Sequence, residues 1–157
     1  MEIKVLAQIT QDGYIARPDG KRDWYINPDK FGINTFFDKA AAILDYKDGE
    51  CLAEYPGNET FSGKTLGEFI RHMNNSDGYI AIEVNPHNLS FVDSLITGHA
   101  VTELHCIQIP TCLEEGIQWP AFIKAKPQLQ VAEQKVLTDQ RFLYIIYRFT
   151  PVPGTCQ

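Results

Sequence analysis

Apolar and polar residues alternate at the start of the chain and again in its C-terminal third, a pattern typical of β-strands. Residues 3–10 alternate in this way and predict a first strand with one buried face. Residues 78–84 form a nearly continuous apolar run, which is typical of a strand covered on both faces in a parallel sheet. Further strands are predicted at 101–110, 129–138 and 141–149, the last two as an antiparallel hairpin.

Helix signals lie between these strands. Residues 27–44 begin with Asn27 as a candidate N-cap and Pro28 at the first helical position, so they predict a helix after the first strand. Two further helices are predicted at 65–75 and 89–97.

The middle of the chain, residues 45–63, is rich in turn-forming residues and predicts at most a short strand near 51–55. The order is then strand, helix, irregular segment, helix, strand, helix and three strands. This order predicts an α/β fold with a mostly parallel sheet and an antiparallel C-terminal edge, in a single domain over 1–157.

Composition and charge narrow the classes of function. The chain is 44% hydrophobic and 22% charged with a net charge of −6, and no basic stripe suggests a nucleic-acid partner. No apolar run suggests a membrane span, and the N-terminus lacks the pattern of a signal peptide. The four cysteines form no Cys-x-x-Cys pair, and the four histidines lack metal-site spacing. We therefore expect a reduced cytoplasmic protein without a metal site.

The segment between the first strand and the first predicted helix is unusually long. It contains Asp12-Gly13 and Pro18-Asp19-Gly20, which are turn formers, and it closes on Trp24. Roughly 15 residues exceed the about 2–6 of an ordinary strand–helix connection. The segment is either a set of turns or a flap over a ligand at the end of the strand.

Two groups of residues resemble the dihydrofolate reductase superfamily, in particular the reductase domain of the riboflavin-pathway deaminase–reductase and its small stand-alone relatives. The first is "VLAQITQDGYIARPDGKRDW", in which Asp12-Gly13-Tyr14-Ile15-Ala16, Gly20 and Asp23-Trp24 match the start of the family. The second is "FVDSLITGHAVTELHCIQIPTCLEEGIQWPAF", which is similar to its later helix, strand and loop. The resemblance implies a dihydrofolate reductase-like three-layer sandwich that binds NADPH across the strand ends.

The same resemblance implies roles for individual residues. Ala7 would contact the nicotinamide through its backbone, and Gly13 and Ile15 would line the cofactor side of the loop. Trp24 would form a wall of the substrate pocket.

Two aspartates are candidates for catalysis. Asp29 lies five residues after Trp24, the spacing of the family's pocket acid, which binds a pyrimidine-like edge and assists protonation. It could equally be a first-turn residue favoured by the helix dipole. Asp12 carries the same two alternatives, a catalytic carboxylate or a turn residue.

Two cofactor contacts of the family depart from its pattern here. In place of Gly-Arg-x-Thr-Tyr, the nearest text is "SGKTLGEF", where Lys64 and Thr65 would take the phosphate-binding role. In place of a Gly-Gly pair after strand 78–84 stands Asn85-Pro86, and proline hinders close backbone approach.

Two hypotheses of function follow. The first is an NADPH-dependent reductase that transfers hydride to a small pterin- or pyrimidine-like substrate. The second is a non-catalytic relative that keeps the fold as a ligand-binding or dimer-forming module, and a homodimer through the apolar C-terminal strands is possible in either case.

Overall fold

A computed structural model describes residues 2–28, 32–57, 59–63, 65–73, 78–137 and 141–150 of the chain. The strands are β1 (Glu2–Thr10), β2 (Tyr14–Ala16), β3 (Ala42–Lys47), β4 (Glu50–Glu54), β5 (Thr60–Gly63), β6 (Tyr79–Glu83), β7 (Glu103–Ile109), β8 (Ile117–Gln118), β9 (Leu129–Val136) and β10 (Leu143–Phe149). The helices are α1 (Thr35–Asp38), α2 (Leu66–Met73), α3 (Leu89–Thr97) and α4 (Pro120–Ala125).

Eight of the strands form one sheet in the order β5-β4-β3-β6-β1-β7-β10-β9. The central strands β3, β6, β1 and β7 run parallel to one another, while β4 and β5 at one edge and β10 and β9 at the other are antiparallel to their neighbours. The predicted parallel centre and antiparallel C-terminal edge are confirmed.

Helices cover both faces of the sheet, which gives three layers. Apolar residues of α2, α3 and α4 pack on one face around Val5 and Ala7 of β1. Phe36 of α1 packs on the opposite face with Leu6. Because β1 is central, its side chains alternate between two buried layers, which explains why the apolar pattern at the start of the chain is only partly periodic.

The helix predicted over 27–44 is wrong for most of its length. The structure has one helical turn, α1, and Ala42–Lys47 is the strand β3, which pairs with β6 through Ala42 and Ile80. Gly32 has a positive φ of 71°, which interrupts a helix, and partners in the sheet outweigh the helix propensity of the alanines. Residues 29–31 lie outside the described part of the chain.

The middle segment is more regular than the sequence predicts. The expected short strand near 51–55 is β4, and it pairs with β3 on one side and with β5 on the other. Asp48 and Gly49 join β3 to β4 with φ angles of 53° and 80°, as a two-residue hairpin of primed turn type requires.

Candidate ligand-binding site

The long segment after β1 is an ordered layer over the end of the sheet. Its short strand β2 pairs with β8, and the Arg17 guanidinium bonds to the Asp23 carboxylate at 2.5 Å. Gly13 adopts a φ of 95°, which glycine tolerates without strain, and its N–H donates to the Thr10 carbonyl in a tight turn. The predicted turns at Asp12-Gly13 and Pro18-Asp19-Gly20 are therefore present, within a segment that folds back over the strand end. We call this segment the flap, and its covering of a ligand stays a prediction.

One buried side chain, Gln8, holds the far end of this flap. Its amide Nε2 donates to the Ile26 carbonyl and its Oε1 accepts from the Ile26 N–H, both at 2.9 Å. Gln8 is fully buried on the α1 face of β1. Gln8 therefore holds the flap to the carboxyl end of β1.

Four flap and strand-end residues form a polar cluster, here called the Glu83 cluster: Arg22, Trp24, Tyr25 and Glu83. The Tyr25 hydroxyl donates to Glu83 Oε2 at 2.8 Å, and the Arg22 guanidinium lies 4.6 Å from the Tyr25 ring centroid. Arg22 also lies 5.9 Å from the Trp24 ring. The cluster occupies the carboxyl end of β6, where open α/β sheets bind their ligands.

Burial dominates the electrostatics of the Glu83 cluster. It raises the pKa of Glu83, with nearby Asp45 acting in the same direction, while Tyr25 and Arg22 oppose the shift. Burial likewise raises the pKa of Tyr25 and lowers the pKa of Arg22. A pKa raised by burial and a specific charged neighbour is a feature that carboxyl groups of functional sites often share.

Three donor atoms of this cluster are buried without an acceptor. Arg22 Nε and Nη2 and Trp24 Nε1 have no hydrogen-bond partner among the residues that the structure describes. Buried donors normally find a partner, because an unmade bond costs free energy. A bound molecule that presents acceptor atoms would supply the missing partners.

The neighbouring crevice, between the ends of β3 and β6, is a topological switch point, since the chain leaves these two strands in opposite directions. Asn85 and Asn88 each accept the backbone N–H of the other at 3.0 Å. Asn88 Nδ2 also donates to Asp45 and to the Glu83 carbonyl, both at 2.8 Å. His87 Nε2 lies 2.7 Å from the other Asp45 oxygen.

This arrangement does not fit the phosphates of an extended dinucleotide. The backbone N–H groups of Asn85 and Asn88, which would face a phosphate, already bond to side chains, and the Asp45 carboxylate would repel an anion. The Asp48-Gly49 hairpin also leaves no helix N-terminus after β3. Within the described residues, the cofactor's phosphate cradle is absent.

A separate cavity of about 410 Å³, here called the strand-end pocket, lies on the other face of the sheet beneath the start of the flap. Asp12 and Gly13 line it, opposite Lys126. Trp119 and Phe122 also line it and stack on each other, with ring centroids 5.0 Å apart. Its Cys106 is a poor nucleophile, because burial raises the pKa of this thiol to about 12.

The structure separates the residues that the sequence predicts for the substrate pocket and for catalysis, Trp24 and Asp12. Trp24 lies in the Glu83 cluster, whereas Asp12 lies by the strand-end pocket and ties the flap to the segment after β7. Its carboxylate accepts the Thr10 hydroxyl at 2.8 Å and the backbone N–H groups of Leu113 and Glu114 at 3.0 and 2.8 Å. These bonds lower the pKa of Asp12 although desolvation opposes them. Asp29 lies outside the described residues.

The predicted cofactor residues are also dispersed. Ala7 and Ile15 are buried in the core of the α3 face, and Gly13 lines the strand-end pocket. Thr65 is exposed at the start of α2, where its hydroxyl accepts the Glu68 N–H at 3.1 Å. Lys64 lies outside the described residues, and Asn85 is in the switch-point crevice described above.

Sequence reasoning missed three residues of this site: Gln8, Arg22 and Glu83. Glu83 could have been identified from the sequence, since it is the single charged residue in the apolar run of 78–84. Gln8 is a polar residue within a strand that is otherwise buried toward its end. Arg22 carried no signal, because its burial depends on how the flap folds back.

In the described part of the chain, no helix is long and apolar enough to cross a membrane. The predicted cytoplasmic location stays a prediction.

No protein-family model and no curated protein sequence matches the chain. Solved structures do match the chain, at low sequence identity. One, from Shewanella sp. PV-4, is a protein provisionally assigned to riboflavin biosynthesis, with a TM-score of 0.64, 14% identity, and coverage of 96% of this chain and 100% of that one. A deaminase–reductase from Thermotoga maritima gives a TM-score of 0.63 at 14% identity over 94% of this chain, which spans 56% of that bifunctional protein.

A dihydrofolate reductase from Enterococcus faecalis, complexed with NADP(H) and a second small molecule, gives a TM-score of 0.59 at 12% identity. The match covers 96% of this chain and 97% of that enzyme. These structures share the chain's layers and extend over nearly all of its length. The chain therefore has the dihydrofolate reductase-like fold, as its sequence resemblance predicts.

Proposed function

We propose that this chain binds a small planar molecule of the pterin or pyrimidine class at the Glu83 cluster, beneath the flap. The observation that carries the proposal is the set of buried donors on Arg22 and Trp24 that have no acceptor among the described residues, next to a buried carboxyl group. Molecules of this class carry ring N–H groups beside carbonyl oxygens. Such an edge complements one carboxyl group and several donors.

The chemistry of the cluster follows from its protonation states. Glu83, with its raised pKa, can accept a ring N–H as a carboxylate or donate a proton as an acid. Tyr25 keeps its proton because burial raises its pKa, so it fixes the orientation of the Glu83 carboxyl. Arg22 and Trp24 would bond to the carbonyl oxygens of the ligand.

Binding of pterin and of uracil, measured by isothermal titration calorimetry, tests this proposal. We expect Glu83→Gln to weaken binding by about tenfold or more, because a charge-assisted bond contributes roughly 1.5–3 kcal/mol. Glu54→Gln, an exposed position on β4, serves as the matched control and is expected to bind like the wild type. Equal affinities of the two variants, or no binding of either compound at millimolar concentration, would refute the proposal.

A second candidate is the full reductase reaction, in which NADPH supplies a hydride to the bound ring. The flap over the strand end and the likeness to a dihydrofolate reductase that holds NADP(H) favour it. The lack of a phosphate cradle among the described residues argues against it. Loss of NADPH absorbance with a pterin or pyrimidine acceptor would support it, and Asp29→Asn should then lower turnover with little change in cofactor affinity.

The non-catalytic alternative gives a different result in the same experiments. If pterin or uracil binds with Glu83 dependence, and NADPH neither binds nor is oxidised at millimolar concentration, the chain is a ligand-binding module. NADPH titration by thermal shift separates the two cases, since a ligand that binds the folded state raises its stability by mass action.

We also propose a homodimer through β9, the edge strand next to β10. Val131 and Val136 on this strand are 50% and 56% exposed, and the outer backbone groups of an edge strand can pair with a second chain. Sedimentation velocity should show a dimer in the wild type and a monomer in Val131→Lys. A monomeric wild type would exclude this interface.

A further inference from the structure

A small cavity of about 200 Å³ lies on the α1 face of the sheet, toward the start of β1 and away from the flap. Lys4, Lys39 and Lys135 line it, and we call it the lysine pocket. These are three of the 14 lysine and arginine residues of a chain whose net charge is −6. Three lysines thus line one cavity of an acidic protein. None of them belongs to the Glu83 cluster, so the ligand site proposed there does not account for them.

Aromatic rings form the walls of the lysine pocket. Phe36 contacts Tyr79 and His105, with ring centroids 5.7 and 4.8 Å apart, and His105 contacts Tyr144 at 5.6 Å. Two of the ammonium groups lie over this rim, Lys4 at 4.4 Å from the Tyr79 ring and Lys135 at 5.0 Å from the Tyr144 ring. The cations are therefore positioned by the walls of the cavity.

The other polar groups of the walls bond to one another. His105 Nε2 lies 2.9 Å from Glu103 Oε1, and because a carboxylate accepts, this nitrogen carries the hydrogen. His105 Nδ1 then accepts the Tyr144 hydroxyl at 2.6 Å, and the Tyr79 hydroxyl donates to the Phe36 carbonyl. The ammonium groups of Lys39 and Lys135 remain as the donors of the pocket, since Lys4 pairs with Glu103.

Two carboxylates lie near the pocket, and one of them, Glu103, already has partners. Glu103 accepts from His105 and also pairs with Lys4 at 3.4 Å and with Arg148 at 2.9 Å. Glu133, on β9, acts on His105 and Tyr144 only through its charge. The fully charged side chains that line the pocket are lysines, and because Lys4 is paired with Glu103, Lys39 and Lys135 supply its positive charge.

We propose that the lysine pocket is a binding site for a small anion that carries a phosphate or a carboxylate group. The ammonium groups of Lys39 and Lys135, with Lys4 behind them, hold the charged group, and the rings of Phe36 and Tyr144 pack against the rest of the molecule. The site is independent of the Glu83 cluster, because the two share no residue.

The test uses the full chain with sodium phosphate and sodium benzoate as probes, in thermal shift and calorimetric titrations against sodium chloride at equal ionic strength. We expect one of the two anions to bind and to raise the unfolding temperature beyond the chloride control. Phosphate binding alone identifies a phosphate ligand, and benzoate binding identifies an aromatic carboxylate. No difference from chloride for either anion would overturn the proposal.

Variants locate the binding. Lys135→Gln and Lys39→Gln, both at exposed positions, should each weaken it about tenfold, the loss of one charge-assisted bond. Lys124→Gln on α4 is the matched control, and Lys126→Gln removes the cation of the strand-end pocket. If Lys124→Gln or Lys126→Gln weakens binding as much as Lys135→Gln does, the anion binds elsewhere and the proposal fails.

Discussion

Gln8 should be the residue on which the closed flap depends most. The change Gln8→Leu removes both of its hydrogen bonds to Ile26 and keeps a buried side chain of similar size. Each bond contributes about 1 kcal/mol net, and the half-buried Ile26 groups that lose their partners add a penalty of about 1 kcal/mol or more. The free energy of unfolding should therefore fall by about 3 kcal/mol.

The loss is measurable by urea or thermal unfolding. For a domain of this size, about 3 kcal/mol corresponds to a decrease of roughly 6–12 °C in Tm. Trypsin cleavage after Lys21 or Arg22 should accelerate at the same time, because the flap is released. The control Gln11→Leu, at an exposed position of the same segment, should stay within about 0.5 kcal/mol of the wild type.

A second variant separates the two hydrogen bonds of Gln8. Gln8→Glu keeps the acceptor for the Ile26 N–H but places a carboxylate oxygen against the Ile26 carbonyl, so its stability should improve as pH falls and the carboxyl is protonated. If Gln8→Leu unfolds with the wild-type midpoint and its trypsin cleavage is unchanged, the flap is held by other contacts and the reasoning is wrong.

Three further predictions concern titration and reactivity. Burial lowers the pKa of His105 in the folded state, so the neutral ring's contribution to stability is lost as pH falls below about 6.5, the pKa of the unfolded chain. In urea unfolding, the stability advantage of the wild type over His105→Gln should therefore shrink between about pH 7 and 5. Burial raises the pKa of Glu83 in the folded state, so the contribution of its protonated carboxyl to stability is lost as pH rises through that raised pKa. The free energy of unfolding of Glu83→Gln should therefore rise relative to the wild type from about pH 4.5 upward. A difference that stays constant with pH would contradict this. In peptide mapping after brief alkylation, exposed Cys112 should be labelled in the folded protein, whereas Cys51 and Cys106 should be labelled after unfolding alone.

Much of the fold could be predicted because burial on two faces leaves a clear mark in a sequence. The strand β6 is a nearly continuous apolar run, β1 and β7 alternate between apolar and polar residues, and α3 ends at Gly98, so their existence and order follow from local patterns. The segment 27–47 could not be predicted in this way. Its alanines and its Asn27-Pro28 start favour a helix, but Ala42–Lys47 forms a strand because β6 offers a free edge.

The site was less predictable than the fold for a related reason. The turn residues Asp12-Gly13 and the length of the flap are local features, and they correctly indicate a covering layer over the strand end. The burial of Arg22 and Glu83 depends on where the flap returns, which no local pattern specifies. The same holds for the lysine pocket, whose cations come from three distant parts of the chain.

By itself, the sequence determined the α/β class, the parallel centre of the sheet and the flap, because periodicity and turn chemistry act between near neighbours in the chain. The tertiary structure decided which polar groups are buried away from solvent. It brought Asp45, His87 and Asn88 together in the switch-point crevice, and it left buried donors beside Glu83. Burial depends on all the elements that surround a group, so the character of the site is fixed only when the whole sheet has formed.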